Sequence, residues 1–425
     1  MPNDIFIGID LGTSGARAIA INNDREVIGE GKSDLADHGT DHRDPAIWRA
    51  AACAALSLVT KAIERQNVKA IAIDGTSGSM LPVDADGTPL AQARMYNDPC
   101  DSAEILDRIA SAAPPESAAH GATSGAAKAL LFQSTAPNAH KIIHQADWLA
   151  GQFCGRYASD DNNALKTGYD SNTRAWPDWM EQAGINRDLL PDVNEPGTLI
   201  APILTTIAAQ FDLPASTQIV AGTTDGCAAF LATGASKPGD GVTSIGTTLI
   251  LKIISDTPIF DPGSGIYSHR LLGNWLAGGA SNTGGGVLLD YFKLDEIASL
   301  SQQIDPTTRL GLDYYPLSKP GERFPVSDPD FPPKLKPRPD SDADFLKAMF
   351  EGIAEVEKRA YAKLGALGAP PLNSIRTVGG AAKNDTFTGI REACLGLQSS
   401  MPVHVEAAYG AALLAKLGEQ NELYD

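Results

Sequence analysis

Absences narrow the reading of this 425-residue chain. No uninterrupted apolar run approaches ~20 residues, the length that a membrane-spanning helix needs, so none is expected. The N-terminus, Met1-Pro2-Asn3-Asp4, carries neither a basic n-region nor an apolar h-region, and a cytoplasmic location is expected. The cysteines, Cys53, Cys100, Cys154, Cys227 and Cys394, are odd in number and widely spaced, with no Cys-x-x-Cys. Reduced thiols suit that pattern better than a disulfide framework. Basic charge is also short: 34 Lys and Arg against 52 Asp and Glu leave a net charge of -18. Nucleic acid and anionic membranes demand a basic face, so neither is expected as a partner. A small anionic ligand stays compatible with this charge if backbone amides and a metal meet it locally.

Two familiar loops are missing as well. Gly31-Lys32-Ser33 matches the end of a Walker A loop, but the glycine needed five residues earlier is Glu26. A Gly-x-Ser-x-Gly hydrolase elbow would need glycine at Ala16 or at Ser79.

What is present is an ordinary globular composition, 43% hydrophobic and 20% charged, in a chain too long for one core. Two domains of about 200 residues are expected, divided here as 1–228 and 229–425, with the last helix, 407–417, able to pack back on the first. Ile5 to Ile9 reads as a buried strand ending on Asp10, followed by the turn Gly12-Thr13-Ser14-Gly15 and a returning strand, Ala16 to Ile21. Such a turn can crowd backbone N–H groups around an anion, and the carboxylate before it suits a divalent cation. It also reads as a plain hairpin. Val27 to Gly31 is a further strand. Asp44-Pro45 caps a helix running to about Gln66, with Ile47, Ala51, Ala54, Leu58 and Ala62 on one face. Val68 to Ile73 ends in Asp74-Gly75-Thr76-Ser77-Gly78, a second carboxylate and glycine turn. Residues 98–180 read as mostly helical. His140, His144 and Asp147 fall at i, i+4, i+7 of a helix, which is a metal-ligand spacing or an ordinary partly buried face.

Thr217 to Ala221 runs into Gly222-Thr223-Thr224-Asp225-Gly226 and a helix, Cys227 to Thr233; Gly241 to Ile245 runs into Gly246-Thr247-Thr248. Gly-Thr therefore follows an apolar strand four times, at Gly12, Gly75, Gly222 and Gly246. Strands near Gly265 to His269 and Asn274 to Ala277 precede a turn from Gly278 to Gly286. Residues 313–340 are proline-rich and irregular, a long loop of the kind that serves function or acts as a lid. Asp342 to Leu367 is helical, burying Phe345, Phe350, Ile353, Val356 and Tyr361. Ser374 to Val378 is a strand that exits through Gly379-Gly380-Ala381-Ala382-Lys383-Asn384. A helix, a strand from Met401 to Val405 and a small-residue helix, Ala407 to Leu417, close the chain. Alternating strands and helices give an α/β protein.

In order, these segments resemble the FGGY carbohydrate kinases, whose fold is shared with hexokinase, actin and glycerol kinase. Gly8-Ile9-Asp10-Leu11-Gly12-Thr13-Ser14 resembles the first phosphate segment and Ser244-Ile245-Gly246-Thr247-Thr248 the second. Gly222-Thr223-Thr224-Asp225-Gly226 resembles the segment with the catalytic aspartate. Val378-Gly379-Gly380-Ala381-Ala382-Lys383-Asn384 resembles the adenosine segment, and Ala407-Ala408-Tyr409-Gly410-Ala411-Ala412 the closing helix. Tyr96-Asn97-Asp98, Asp147-Trp148-Leu149 and Gly321-Glu322-Arg323-Phe324-Pro325 are further landmarks. Two departures stand out: Lys128 is followed by Ala129-Leu130-Leu131 without the usual Trp, and the proline-rich Asp328 to Pro339 replaces the family's Gly-x-Phe-x-Gly-Leu stretch. In length and in Asp74-Gly75-Thr76-Ser77-Gly78 the chain is most similar to the compact D-ribulose kinases of cyanobacteria and plants; xylulokinases usually place Met-His where Thr76-Ser77 stands.

The resemblance implies two RNase H-like domains with a nucleotide and sugar cleft between them, ATP and Mg²⁺ as cofactors, and a ketopentose as acceptor. It implies Asp225 as general base, Asp10 as the magnesium carboxylate, and Gly12, Thr13, Gly246 and Thr247 on phosphate oxygens. Gly379, Gly380 and Asn384 would hold the adenosine. Asp10, Asp74, Ser77 and Asp225 would face the sugar, with Asn97 and Asp98 as further candidates. Read locally, Asp225 and Asn384 are also helix caps. Another polyol or ketose as acceptor, or an ATP-binding sensor or actin-like protein without kinase activity, are the competing readings.

Overall fold

The apolar runs become strands wherever a neighbouring run can take up their backbone hydrogen bonds. The computed structural model describes residues 4–420. The chain divides into two units. One holds the chain up to Ala232, His269–Leu272 and the segment from Glu406; the other holds Thr233–Ser268 and Gly273–Val405.

In the first unit the strands are β1 (Ile5–Leu11), β2 (Gly15–Ile21), β3 (Val27–Asp34), β4 (Val68–Gly75), β5 (Met80–Val83), β6 (Lys141–His144), β7 (Ala158–Asp160), β8 (Asp192–Asn194), β9 (Leu199–Pro202) and β10 (Gln218–Val220). The main sheet runs β3-β2-β1-β4-β10-β9. β1, β4 and β10 are parallel, and β1 and β4 read as almost unbroken apolar runs because both of their faces are covered. One cover is the closing helix Ala407–Gln420. Gly8 admits it: a Cβ there would lie 2.0 Å from the Ala408 carbonyl oxygen and 2.2 Å from the Ala412 nitrogen. Gly410 in turn admits helix Asp225–Ala232, since its Cβ would lie 1.9 Å from the Ala228 carbonyl oxygen. Helix Pro45–Ala62 is another cover, with Gly31 of β3 under its Ala55 carbonyl. Asp44 caps that helix by accepting from the Ala46 N–H at 2.9 Å.

The second unit is built on β11 (Asp240–Ile245) and β12 (Leu249–Ser255). β13 (Tyr267–Leu271), whose residues from His269 on are counted with the first unit, precedes β14 (Asn274–Ser281), β15 (Ser374–Val378) and β16 (Ser399–Ser400). β14-β12-β11-β15-β16 are hydrogen-bonded in that order, β11 and β15 in parallel. Helix Asp342–Ala366 buries Phe345, Phe350, Ile353, Val356 and Tyr361 as expected from its spacing. The Arg391 guanidinium, on helix Asp385–Leu395, meets the Glu357 carboxylate in two bonds of 2.6 Å inside this core. Residues 313–340 contain no helix or strand, only the bridges Tyr315↔Lys334 and Glu322↔Asp328. The Tyr314 hydroxyl donates to the Pro337 carbonyl at 2.7 Å and fastens this stretch.

Several expectations need correction. Helix Pro45–Ala62 stops short of Gln66, and its buried face is Ile47, Trp48, Ala51, Ala52, Ala55, Leu56 and Val59, while Leu58 is exposed. The contact at Gly31 turns Ala55 inward and rotates the stripe by about one residue. His140, His144 and Asp147 do not share a helix: His144 ends β6, which pairs with β5, and Asp147 lies in helix Gln145–Cys154. His140 is exposed, and among the described residues no group of three or more His, Cys, Asp or Glu is arranged to hold a metal ion. The metal reading of that trio is overturned. Met401 to Val405 is not a strand, because pairing with β15 ends at Ser400, and Met401, Val403 and Val405 are exposed. The strand from Asn274 continues to Ser281, which shortens the expected turn.

Candidate active site

In the first unit, parallel pairing gathers acids at the carboxyl ends of the strands, the edge where open α/β sheets bind ligands. Asp10 on β1 is in register with Asp74 on β4. One step further, Gly75 bridges Thr224 in parallel, which sets Asp225 at the start of its helix beside them. The Asp10 Oδ1 and both carboxyl oxygens of Asp74 are buried without a hydrogen-bond donor. Burial, opposed by the neighbouring Asp74 carboxyl and reinforced by the Asp225 charge, pushes Asp10 from 3.8 up to about 6. Burial, and then the neighbouring Asp10 and Asp225 charges, hold Asp74 well above the usual carboxylate range. Burial and the neighbouring charges thus favour the protonated form of Asp74, which faces Asp10 across the parallel register. Deeper in, Asp160 is pushed up to about 8 by burial and by Asp147, against the bonds it accepts from Asn162 and Asn163. A site built only for stability would pair these carboxylates.

The loop after Asp74 is held from behind. The Thr76 hydroxyl approaches Ser79 Oγ and Gln145 Oε1, each at 2.7 Å, and the Thr76 N–H donates to the same Gln145 oxygen at 3.0 Å. This leaves the Ser77 hydroxyl and the Gln145 Nε2 buried without protein partners. The Lys128 ammonium, wholly buried, donates to the carbonyls of Gly78 (2.7 Å), Thr123 (3.1 Å) and Tyr96 (3.3 Å), and burial pushes it down to about 8. Lys128 thus ties three loops together without the missing Trp. Of the weaker candidates, Asn97 is exposed, and Asp98 is committed to the Arg43 guanidinium at 2.7 and 3.1 Å. Asp225 accepts from the Gly226 N–H at 2.6 Å.

At the hairpin, the Gly12 N–H donates to the Gly15 carbonyl at 2.9 Å and leaves Thr13 and Ser14 exposed. Gly15 is required by β3, since a Cβ there would lie 2.7 Å from the Ser33 carbonyl oxygen.

The remaining candidates sit in the second unit. Gly246 and Thr247 are exposed at the end of β11, and Gly379 and Gly380 leave the neighbouring β15. Gly379 adopts φ of +92°, and a Cβ on it would lie 2.6 Å from the Ile245 carbonyl oxygen, so only glycine fits. A cavity of about 600 Å³ opens here, lined by Gly246, Thr247, Gly380 and Asn384 on its polar side and by Leu288 and Ile297 on its apolar side. The Asn384 Oδ1 accepts from the Phe387 N–H at 3.0 Å and caps the next helix, and its Nδ2 donates to the Ser301 hydroxyl at 2.8 Å. Asn384 is a cap and a cavity wall at once. The candidates thus form two groups: Asp10, Gly12, Thr13, Asp74, Ser77 and Asp225 in the first unit, Gly246, Thr247, Gly379, Gly380 and Asn384 in the second. Lys128, Gln145 and Ser301 were not expected here. Gln145 lies two residues before the Asp147-Trp148-Leu149 landmark, the one sequence signal that pointed toward it.

The model of the N-terminal domain of the FGGY family of carbohydrate kinases matches residues 5–121, and that of the C-terminal domain matches residues 241–418. The chain belongs to the FGGY family of carbohydrate kinases. As an FGGY kinase it is a phosphotransferase with an alcohol group of a sugar or polyol as acceptor. It is 26% identical to the xylulose kinase of Escherichia coli (strain K12) over 98% of this chain and 91% of that one. Its fold is that of solved FGGY kinases. The xylulose kinase from Rhodospirillum rubrum superposes with a TM-score of 0.84 at 19% identity, over 99% of this chain and 91% of that one. Plasmodium falciparum glycerol kinase with ADP gives 0.83 at 15% identity, over 100% and 90%. Among the described residues, no helix is long and apolar enough to cross a membrane.

Proposed function

We propose that this kinase transfers the γ-phosphoryl group of ATP to a hydroxyl of a ketopentose, with D-ribulose as acceptor and D-ribulose 5-phosphate as product. The observation that carries this is the group of buried, donor-free oxygens on Asp10, Asp74 and Ser77 beside Asp225. Such groups are costly unless a polar ligand satisfies them. A hydroxylated sugar supplies donors for Asp74 and an acceptor for the Gln145 amide. The choice of D-ribulose rests on Thr76-Ser77, because the Thr76 hydroxyl is consumed in the protein and the Ser77 hydroxyl is left for the ligand. The E. coli relative, named a xylulose kinase, favours D-xylulose as the second reading.

Phosphoryl transfer depends on positioning and on charge neutralisation more than on covalent chemistry. Asp225 accepts the proton of the attacking sugar hydroxyl as the new P–O bond forms. Its bond from the Gly226 N–H orients it for that task. Asp10 fits magnesium: its Oδ1 is a hard oxygen donor with no protein partner, and magnesium takes one or two carboxylates while keeping water and phosphate ligands. When bound, magnesium neutralises charge on the phosphate oxygens. Thr13 and Thr247 offer N–H and hydroxyl donors to the phosphates, while Gly12 and Gly246, whose own N–H groups bond the Gly15 and Thr248 carbonyls, let the phosphates approach the backbone closely. The cavity beside Gly379, Gly380 and Asn384 holds the nucleoside, its apolar wall against the base.

The test is ADP release with ATP and magnesium across D-ribulose, D-xylulose, L-ribulose, ribitol, erythritol and glycerol. D-ribulose should give the highest kcat/KM. A clear preference for another acceptor would overturn the D-ribulose reading, and ADP release that no sugar stimulates would overturn the ketopentose kinase reading.

A further inference from the structure

The Gly246-Thr247-Thr248 loop does not stand alone. The Gly285 N–H donates to the Gly246 carbonyl at 2.8 Å, and the Gly286 N–H donates to the Thr247 carbonyl at 3.0 Å. The two segments touch so closely that a Cβ on Gly284 would lie 2.6 Å from the Thr248 carbonyl carbon, and one on Gly286 would lie 2.8 Å from Thr247 Cγ2. The loop can therefore shift only if the Ser281–Gly286 turn shifts with it.

One carboxylate supplies most of the side-chain bonds that fasten that turn. Glu322, 3% exposed, accepts four hydrogen bonds: from Ser281 Oγ at 2.6 Å and the Tyr315 hydroxyl at 2.8 Å on Oε2, and from the Asn282 N–H at 2.7 Å and the Arg323 N–H at 2.8 Å on Oε1. Ser281 also accepts from the Thr283 N–H at 3.1 Å, which passes the restraint toward the glycines. Arg323 closes a second link through its Nε to Asn282 Oδ1 at 2.7 Å.

We propose that Glu322 is a positioning residue for the nucleotide: by clamping Ser281 and Asn282 it holds the Thr283–Gly286 turn, and through that turn it sets the Gly246–Thr248 loop at the phosphates. The inference rests on the reading of Gly246 and Thr247 as phosphate-binding residues. Glu322 touches no substrate itself. Its effect falls on ATP and spares the sugar, whose candidate residues lie in the other unit.

The experiment compares Glu322→Ala, Glu322→Gln, Ser281→Ala and Thr247→Val with wild type, by ATP titration calorimetry and by steady-state kinetics with the best acceptor. Glu322→Ala should weaken ATP binding and raise the ATP KM by at least tenfold. Glu322→Gln keeps one oxygen for the two backbone donors and should recover most of the loss. Ser281→Ala, a milder cut in the same chain, should raise the ATP KM about threefold, and it carries the test if Glu322→Ala does not fold. The sugar KM should stay within twofold throughout. If Thr247→Val raises the ATP KM while Glu322 and Ser281 variants leave it within twofold of wild type, the positioning role is wrong. Equal losses in ATP and sugar KM would also overturn it, because a general loss of structure would explain them. If Thr247→Val itself leaves ATP binding unchanged, the phosphate-loop reading fails instead.

Discussion

Asp10→Asn should make the protein more stable and inactive. In the folded protein Asp10 is held at about 6, against 3.8 for the free side chain. The folded state therefore binds more protons than the unfolded chain between those values. Stability from this group is full below about pH 4, falls as pH rises through the window, and levels off above about 6. The difference corresponds to about 3 kcal/mol at pH 8. Asparagine carries no charge to bury, and its amide can still face Asp74. At pH 8 in EDTA the variant should unfold later than wild type, by roughly 6–12 °C if the first unit melts as one body. At pH 4 the two should nearly coincide. Thermal unfolding followed by circular dichroism at both pH values gives the comparison. Adding magnesium should recover stability in the wild type and leave the variant unmoved. A variant that melts at or below the wild-type temperature at pH 8 would refute the claim that a strained carboxylate is kept for function.

Other perturbations separate positioning from chemistry. Lys128→Met leaves the carbonyls of Gly78, Tyr96 and Thr123 without their donor and should raise the sugar KM about tenfold through loss of roughly 1–2 kcal/mol of ordering, with the ATP KM unchanged; an unchanged sugar KM would show that the loops hold without it. Gly8→Ala forces a methyl into the backbone of the closing helix and should lower the urea midpoint by the equivalent of about 1–3 kcal/mol or more. A midpoint equal to wild type would contradict the close seating of that helix on β1.

Strand ends and their carboxylates were legible because an apolar run that stops on Asp and glycine marks itself. The adjacency of Asp10 and Asp74 was not, since it is a matter of parallel register between residues 64 positions apart. Long-range pairing also defeated the reading at His140 to Asp147, where β5 draws residues 141–144 into a strand that local periodicity renders as helix. At Met401 to Val405 the alternation looked like a strand, but no ladder continues beyond Ser400. The family segments located the glycine loops and Asp225. They did not show that Lys128, Gln145 and Glu322 are buried, because a polar residue in a sequence carries no sign of whether its partners are water or backbone. Asn384 shows the opposite case: a cap visible from sequence is also a wall of the cavity.

The mechanism turns on Asp225 taking the proton from a sugar hydroxyl. ADP release by Asp225→Asn, with ATP, magnesium and D-ribulose at saturation, tests this most directly. A general base at this position predicts a fall in kcat of roughly 10²–10⁴-fold with ATP binding preserved. Turnover within a few-fold of wild type would contradict it.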